Sequence, residues 1–198
     1  MVEQAATTPP SPKKSSIGKI VLIGLAVFVA IVGVLSVIVA MQPATFEVSR
    51  QATIAAPPEV VFNQVNDFHK WDAWSPWAKL DPQAKNTFEG PESGKGAAFH
   101  WEGNNEVGKG RMTITESRPA ELVLLDLEFV KPFASKCVTE FTFKPEGDQT
   151  LVTWTMKGEN NFMSKAMHLV MNMDKMVGGS FDEGLASMKK ISEEAAKQ

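Results

Sequence analysis

The sequence predicts an α+β protein: a curved antiparallel sheet wrapped around a long C-terminal helix, preceded by one transmembrane helix. Three observations predict it. Ile20 to Met41 contains no charged residue. Beyond Thr45, short segments alternate apolar with polar residues and are parted by turn residues, the period-two pattern of strands. After Asn161 the apolar period changes to that of a helix. A twisted sheet presents an apolar face that must be covered, and a single long helix can cover it.

The uncharged run is 22 residues long. As a helix it reaches about 33 Å, enough for a hydrocarbon core of about 30 Å. A secretory signal has a shorter apolar stretch of about 7–15 residues and a small-x-small cleavage site. Ile38-Val39-Ala40 is a mediocre site with Pro43 close behind it, so a retained anchor over 20–41 is expected in place of a cleaved signal. Lys13, Lys14 and Lys19 precede the run against Glu3, whereas the first basic residue after it is Arg50. By the positive-inside bias, residues 1–19 form a cytoplasmic tail and the following domain is extracytoplasmic or periplasmic. The tail is rich in Thr, Pro and Ser and reads as disordered. Gln42 to Ala44 spans only about 10 Å when extended, which keeps the domain, residues 45–196, close to the inner membrane.

Composition narrows the function classes. The chain carries a net charge of −3, and since residues 1–19 contribute +2 the rest carries −5. That balance lacks the basic face of a nucleic-acid binder. Cys137 is the single cysteine, so no intrachain disulfide forms; it shares a strand face with Phe141 and reads as a small buried apolar residue.

Within the domain, Thr45–Ile54 is a strand with Phe46, Val48, Ala52 and Ile54 on one face. Pro57 and Pro58 stop it and suit the first turn of a helix over Glu59–Asn66. Phe68 to Trp77 is a short helix or loop holding Trp71, Trp74 and Trp77. Strands follow near 86–89, 97–102, 108–116, 121–130, 137–144 and 149–158, joined by short turns as a meander. Met163, Met167, Val170, Met173 and Val177 then fall at helical spacing. Gly178-Gly179 is expected to interrupt, as a hinge or a tight corner, with Ser180 and Glu183 as the capping box of a last helix carrying Phe181, Leu185, Met188 and Ile191.

Three stretches carry a resemblance. They are Ile54-Ala55-Ala56-Pro57-Pro58-Glu59-Val60-Val61-Phe62 leading to Trp71-Asp72-Ala73-Trp74-Ser75-Pro76-Trp77; Trp101-Glu102-Gly103-Asn104 to Met112-Thr113-Ile114; and Phe181-Asp182-Glu183-Gly184-Leu185. With the order of elements, they resemble the START-like (SRPBCC) superfamily, and within it the bacterial polyketide cyclase/dehydrase-like proteins. The resemblance implies a helix-grip fold with a cavity between the concave sheet and the C-terminal helix. Members range from lipid carriers to cyclases, so it implies less about function.

Enzyme chemistry needs a converging acid, base or metal set. His69, His100 and His168 lie in different elements, and neither H-x-x-x-H nor C-x-x-C occurs; no metal and no cofactor are expected. Gly108-Lys109-Gly110 reads as a strand bulge or bend. The catalytic candidates are Glu102, His100 and Asp126, all opposite apolar neighbours; with the apolar face inward they point to solvent. A carboxylate inside an apolar cavity would instead have a raised pKa and serve as a base.

The candidate ligand-binding residues on the sheet are Phe99, Trp101, Met112, Ile114, Leu127, Phe129, Phe141, Trp154 and Met156, with Leu125, Phe143 and Val152 also inward. Met163, Met167, Val170, Met173 and Val177 would face them, and methionine adapts to irregular apolar partners. Trp71, Trp74 and Trp77 fit a cavity lip or an interfacial anchor, or plain packing on the sheet. The plainer alternative for the inward residues is a filled core. The leading expectation is a membrane-anchored, non-enzymatic binder of a lipid or other hydrophobic small molecule. The alternatives are a cyclase- or hydrolase-type enzyme and a tethered module that meets a protein partner through the Trp71–Trp77 surface.

Overall fold

The computed structural model describes residues 16–170 and 172–197, with the side chains of Ser16, Ile17, His168, Val170 and Met173 also outside the description. The expected tail therefore falls almost wholly outside the described residues. Two units are distinguished, Met1–Gln42 and Pro43–Gln198.

The first unit contains α1, Ser16–Ala40. Apart from Val39, which is buried, its described Ile, Leu, Val and Phe side chains are exposed, a pattern that water does not stabilise. By length and composition α1 meets the requirement for a membrane span, which a signal sequence also meets.

The second unit is a helix-grip fold. Its seven strands are β1 (Thr45–Ile54), β2 (Lys85–Glu89), β3 (Ala98–Glu102), β4 (Lys109–Arg118), β5 (Leu122–Lys131), β6 (Ser135–Glu146) and β7 (Gln149–Glu159). They pair antiparallel throughout, in the order β1-β7-β6-β5-β4-β3-β2. The register brings Phe141 opposite both Val123 and Trp154, and Met112 opposite both Phe99 and Leu127. Every one of these lies on the concave face, so period-two alternation becomes a continuous apolar floor. The expected bend at Gly108-Lys109-Gly110 is present as a register shift between Lys109 and Gly110.

Between β1 and β2, α2 (Pro58–Asn66) buries Val61, Phe62 and Val65. The 3-10 helices η1 (Phe68–Ala73) and η2 (Pro76–Lys79) follow. The C-terminal carbonyls of α2 lack helical partners, as at any helix end. Two indoles supply donors: Trp71 Nε1 donates to Val65 O at 2.9 Å and Trp74 Nε1 to Gln64 O at 3.0 Å.

The helical region after β7 differs from the sequence expectation. It consists of α3 (Phe162–Val170) and a single uninterrupted α4 (Met173–Ala195) that runs through Gly178-Gly179. Asn172, not Ser180, caps α4, its side chain accepting from Lys175 N at 2.9 Å. Ser180 instead donates its hydroxyl to Met176 O within the helix at 3.3 Å. Gly178 serves close approach and breaks nothing: a Cβ there would lie 2.0 Å from Arg50 Nη2. Through that gap the Arg50 guanidinium reaches both carboxylate oxygens of Asp174, at 3.0 and 3.1 Å, and Asp182 at 3.3 Å. This clamp raises the Arg50 pKa, chiefly through the Asp174 hydrogen bond, and holds the Asp174 carboxyl below its usual range. It fastens the first turns of α4 to the edge strand β1.

The core of the second unit is complete in itself, since its buried cluster runs from Val48 to Met188 and contains nothing from α1. On α4, Phe181, Leu185 and Met188 are buried and Ile191 packs against the cluster. Cys137 is buried as expected, and desolvation pushes its thiol up to about 11.

Candidate functional site

A cavity of about 420 Å³ lies between the sheet and the N-terminal half of α4. Its floor is the concave face: Phe99 and Trp101 from β3, Met112 from β4, Leu127 and Phe129 from β5, and Met156 from β7. Trp71 from η1 and Trp77 from η2 line it as well, the first buried and the second exposed at the edge. Trp154 completes the sequence-predicted residues that reach the void.

Among the predicted residues whose side chains are described, four do not line it. Trp74, Ile114 and Phe141 are at most 1% exposed and belong to the solid core beneath. Trp74 and Phe141 pack ring against ring with centroids 6.1 Å apart. Met167 is half-buried on α3 and is not among the lining residues. Val170 and Met173 are placed as backbone only, and their side chains lie outside the description. Of the other inward candidates, Val177 reaches the cavity, whereas Leu125, Phe143 and Val152 are core. Met163 is 55% exposed, contrary to expectation. The cause is the break between α3 and α4, which divides what the sequence presents as one helical stripe.

The walls are aromatic. Phe99 and Trp101 stack at 6.0 Å, and Phe129 meets Trp101 edge-on at 5.9 Å. Trp154 stacks on Phe181 with centroids 4.0 Å apart and planes 9° apart, and Trp77 meets both edge-on at 5.8 and 6.3 Å. Gly110 lets the Trp101 indole lie against β4, and Trp101 Nε1 donates to Val107 O at 2.9 Å.

Sequence reasoning missed the polar residues of the cavity lining: Asp72 on η1, Ser75 before η2, Asp81 in the loop after η2 and Asn86 on β2. The stretch between η2 and β2 has no apolar periodicity. Its one signal was Asp81-Pro82, a turn-forming pair. Asp81 organises that turn, its carboxylate accepting from Asn104 N at 2.7 Å and Gln83 N at 3.1 Å.

Thr139 also lines the cavity, and the Thr139 Oγ1 and Trp154 Nε1 atoms are buried with no hydrogen-bond partner among the described residues. An unpaired buried hydroxyl costs about 1–3 kcal/mol. Thr139→Val keeps the branched shape and removes that cost. The expected result is a gain of about 1 kcal/mol in urea-unfolding free energy. A loss would show that the hydroxyl is paired in solution.

The three catalytic candidates lie on the convex face, away from the cavity. Glu102 pairs with Lys109 at 2.8 Å, a hydrogen bond that lowers its pKa, so it is held ionised and unsuited to act as a base near neutral pH. His100 sits opposite Arg111 with its Nε2 3.3 Å from Glu89, and Asp126 is exposed opposite Val138. Among the described residues no group of His, Cys, Asp or Glu is arranged to hold a metal ion.

Residues 45–193 match the family described as polyketide cyclase/dehydrase and lipid transport. The chain belongs to that family. No curated protein matches it. Among solved structures, the chain is similar to protein CV1439 from Chromobacterium violaceum: TM-score 0.54, 15% identity, covering 76% of this chain and 98% of that one. It is similar to the di-domain ARO/CYC StfQ of the steffimycin biosynthetic pathway, with TM-score 0.57 and 9% identity, covering 78% of this chain and 53% of that one. It is also similar to Aha1 from Colwellia psychrerythraea, solved as a dimer, at TM-score 0.53 and 16% identity over 75% and 96% of the two chains. Likeness at such identities shows the fold alone, and proteins of different roles share it.

Proposed function

We propose that this protein binds a hydrophobic small molecule or lipid in the cavity between sheet and α4, and that α1 anchors it in the cytoplasmic membrane with the domain, residues 45–196, on the extracytoplasmic side. The observation that carries the reading is the void itself: about 420 Å³ lined chiefly by apolar and aromatic side chains, beside a core of buried residues. A pocket of this size and lining is typical of small-molecule sites. Apolar burial supplies affinity at about 25 cal/mol per Å² before the costs of ordering. Anchoring is supported by the uncharged apolar run of α1 from Ile20 and the lysines before that run.

Residues 43–198 carry a complete core and are the form to test. Incubated with a total lipid extract and examined by native mass spectrometry, they are expected to retain an apolar molecule. A protein that emerges with no added mass, and that no added amphiphile perturbs, would overturn the reading. For the anchor, carbonate washing of membranes is expected to leave the full chain in the pellet.

A further inference from the structure

Resting on that reading, we infer that the ligand is a hydrophobic cation, an apolar body bearing an amine or quaternary ammonium group, and not a fatty acid or other anionic lipid. Two features of the cavity carry this, its charge and its aromatic surface.

Among the described residues that line it there is no Lys, Arg or His, and the two charged residues are Asp72 and Asp81. An anionic head group entering such a site would lose hydration, find no cation to replace it, and meet two carboxylates. Burying a charge on those terms is costly. Asp72 is exposed on η1, whereas Asp81 is half-buried with two backbone N–H donors on its carboxylate. Both line the void, Asp72 from η1 and Asp81 from the loop after η2. A cation arriving there gains the attraction an anion forfeits.

The apolar surface favours the same sign. Ring faces carry negative quadrupolar charge and attract an ammonium placed over them, tryptophan most strongly. Trp71, Trp77, Trp101 and Trp154 all line the cavity, so four of the chain's five tryptophans are there. Trp77 is 36% exposed and lines the same cavity as the two carboxylates, so part of its ring is open to an entering ligand. An aliphatic lining of equal area would hold a neutral chain as well but would discriminate no charge. The proportion of indole is what the proposal uses.

The test compares three probes with one apolar body: decyltrimethylammonium, decanol and decanoate, each below its micelle concentration near neutral pH. Binding to residues 43–198 is read by calorimetry and by tryptophan fluorescence. The expected order is ammonium, then alcohol, then carboxylate, with ammonium over carboxylate by about tenfold or more. Asp72→Asn is expected to narrow that ratio several-fold. Asp126→Asn removes the same charge from the convex face and is expected to leave the ratio as it was. Decanoate binding as tightly as the ammonium would overturn the inference while leaving the cavity reading intact. So would an equal narrowing by Asp126→Asn, because the preference would then reflect net charge and no site. If none of the three binds, the binding function itself fails.

Discussion

Trp154→Ala is expected to cost about 3–5 kcal/mol, the range for removing a large aromatic from a core. Domains of this kind hold about 5–15 kcal/mol in all, so the variant would sit near the limit of folding. The reason is the number of surfaces one ring supports. Trp154 is 2% exposed, stacks on Phe181 at 4.0 Å, lies 4.7 Å from Phe141, and takes the edges of Trp74 and Trp77. It joins the sheet to α4, to η2 and to the residue that ends η1 at one point. Gly184 marks how closely the helix approaches: a Cβ there would lie 2.9 Å from the Trp154 ring. Urea unfolding of residues 43–198 provides the measurement, with Trp154→Phe beside it. The phenylalanine keeps a ring against Phe181 and removes an N–H that has no partner. It should therefore lose far less than the alanine. Equal losses would mean that the indole's size, and not its ring contacts, supports the joint.

Trp154 was legible in the sequence because strand alternation is a local signal: once Val152, Trp154 and Met156 are taken to face inward, the register follows. The same holds for β1, whose bounds Thr45–Ile54 are those the alternation gives. What alternation cannot separate is a residue facing a void from one facing another side chain. Ile114, Phe141 and Leu127 have the same pattern, yet the first two are core and the third lines the cavity. That difference depends on where α4 and the loop after η2 lie, which is long-range. The error at Gly178-Gly179 has a similar origin. Two adjacent glycines weaken a helix locally, but here Arg50, 128 residues before Gly178, occupies the space a side chain would need and clamps Asp174 before the pair and Asp182 after it, which holds the helix together across them. Charge in the cavity lining was invisible for a third reason: Asp72 and Asp81 sit in segments with no period from which a facing could be read.

Gly110→Ala should act on the binding site more than any other single methyl group. Gly110 sits at the β4 bulge, and its added Cβ would lie 2.3 Å from Trp101 Cζ2 and 2.5 Å from the Glu128 carbonyl oxygen. Contacts that short cannot be met by small adjustments. Either the indole leaves the sheet or β4 and β5 part. The first costs the hydrogen bond to Val107 O and carries the ring away from Phe99 and Phe129. Overpacking of this kind typically costs about 1–3 kcal/mol. Probe affinity should fall about tenfold or more, because the displaced ring either fills the void or opens the wall. The two routes are separable. In a Trp101→Ala background the indole clash is gone and only the carbonyl clash remains. A smaller cost of Gly110→Ala there than in the native background locates the strain in the ring. An unchanged cost assigns it to the strand pair, and the wall would then owe its position to β5 instead of to the glycine beneath Trp101.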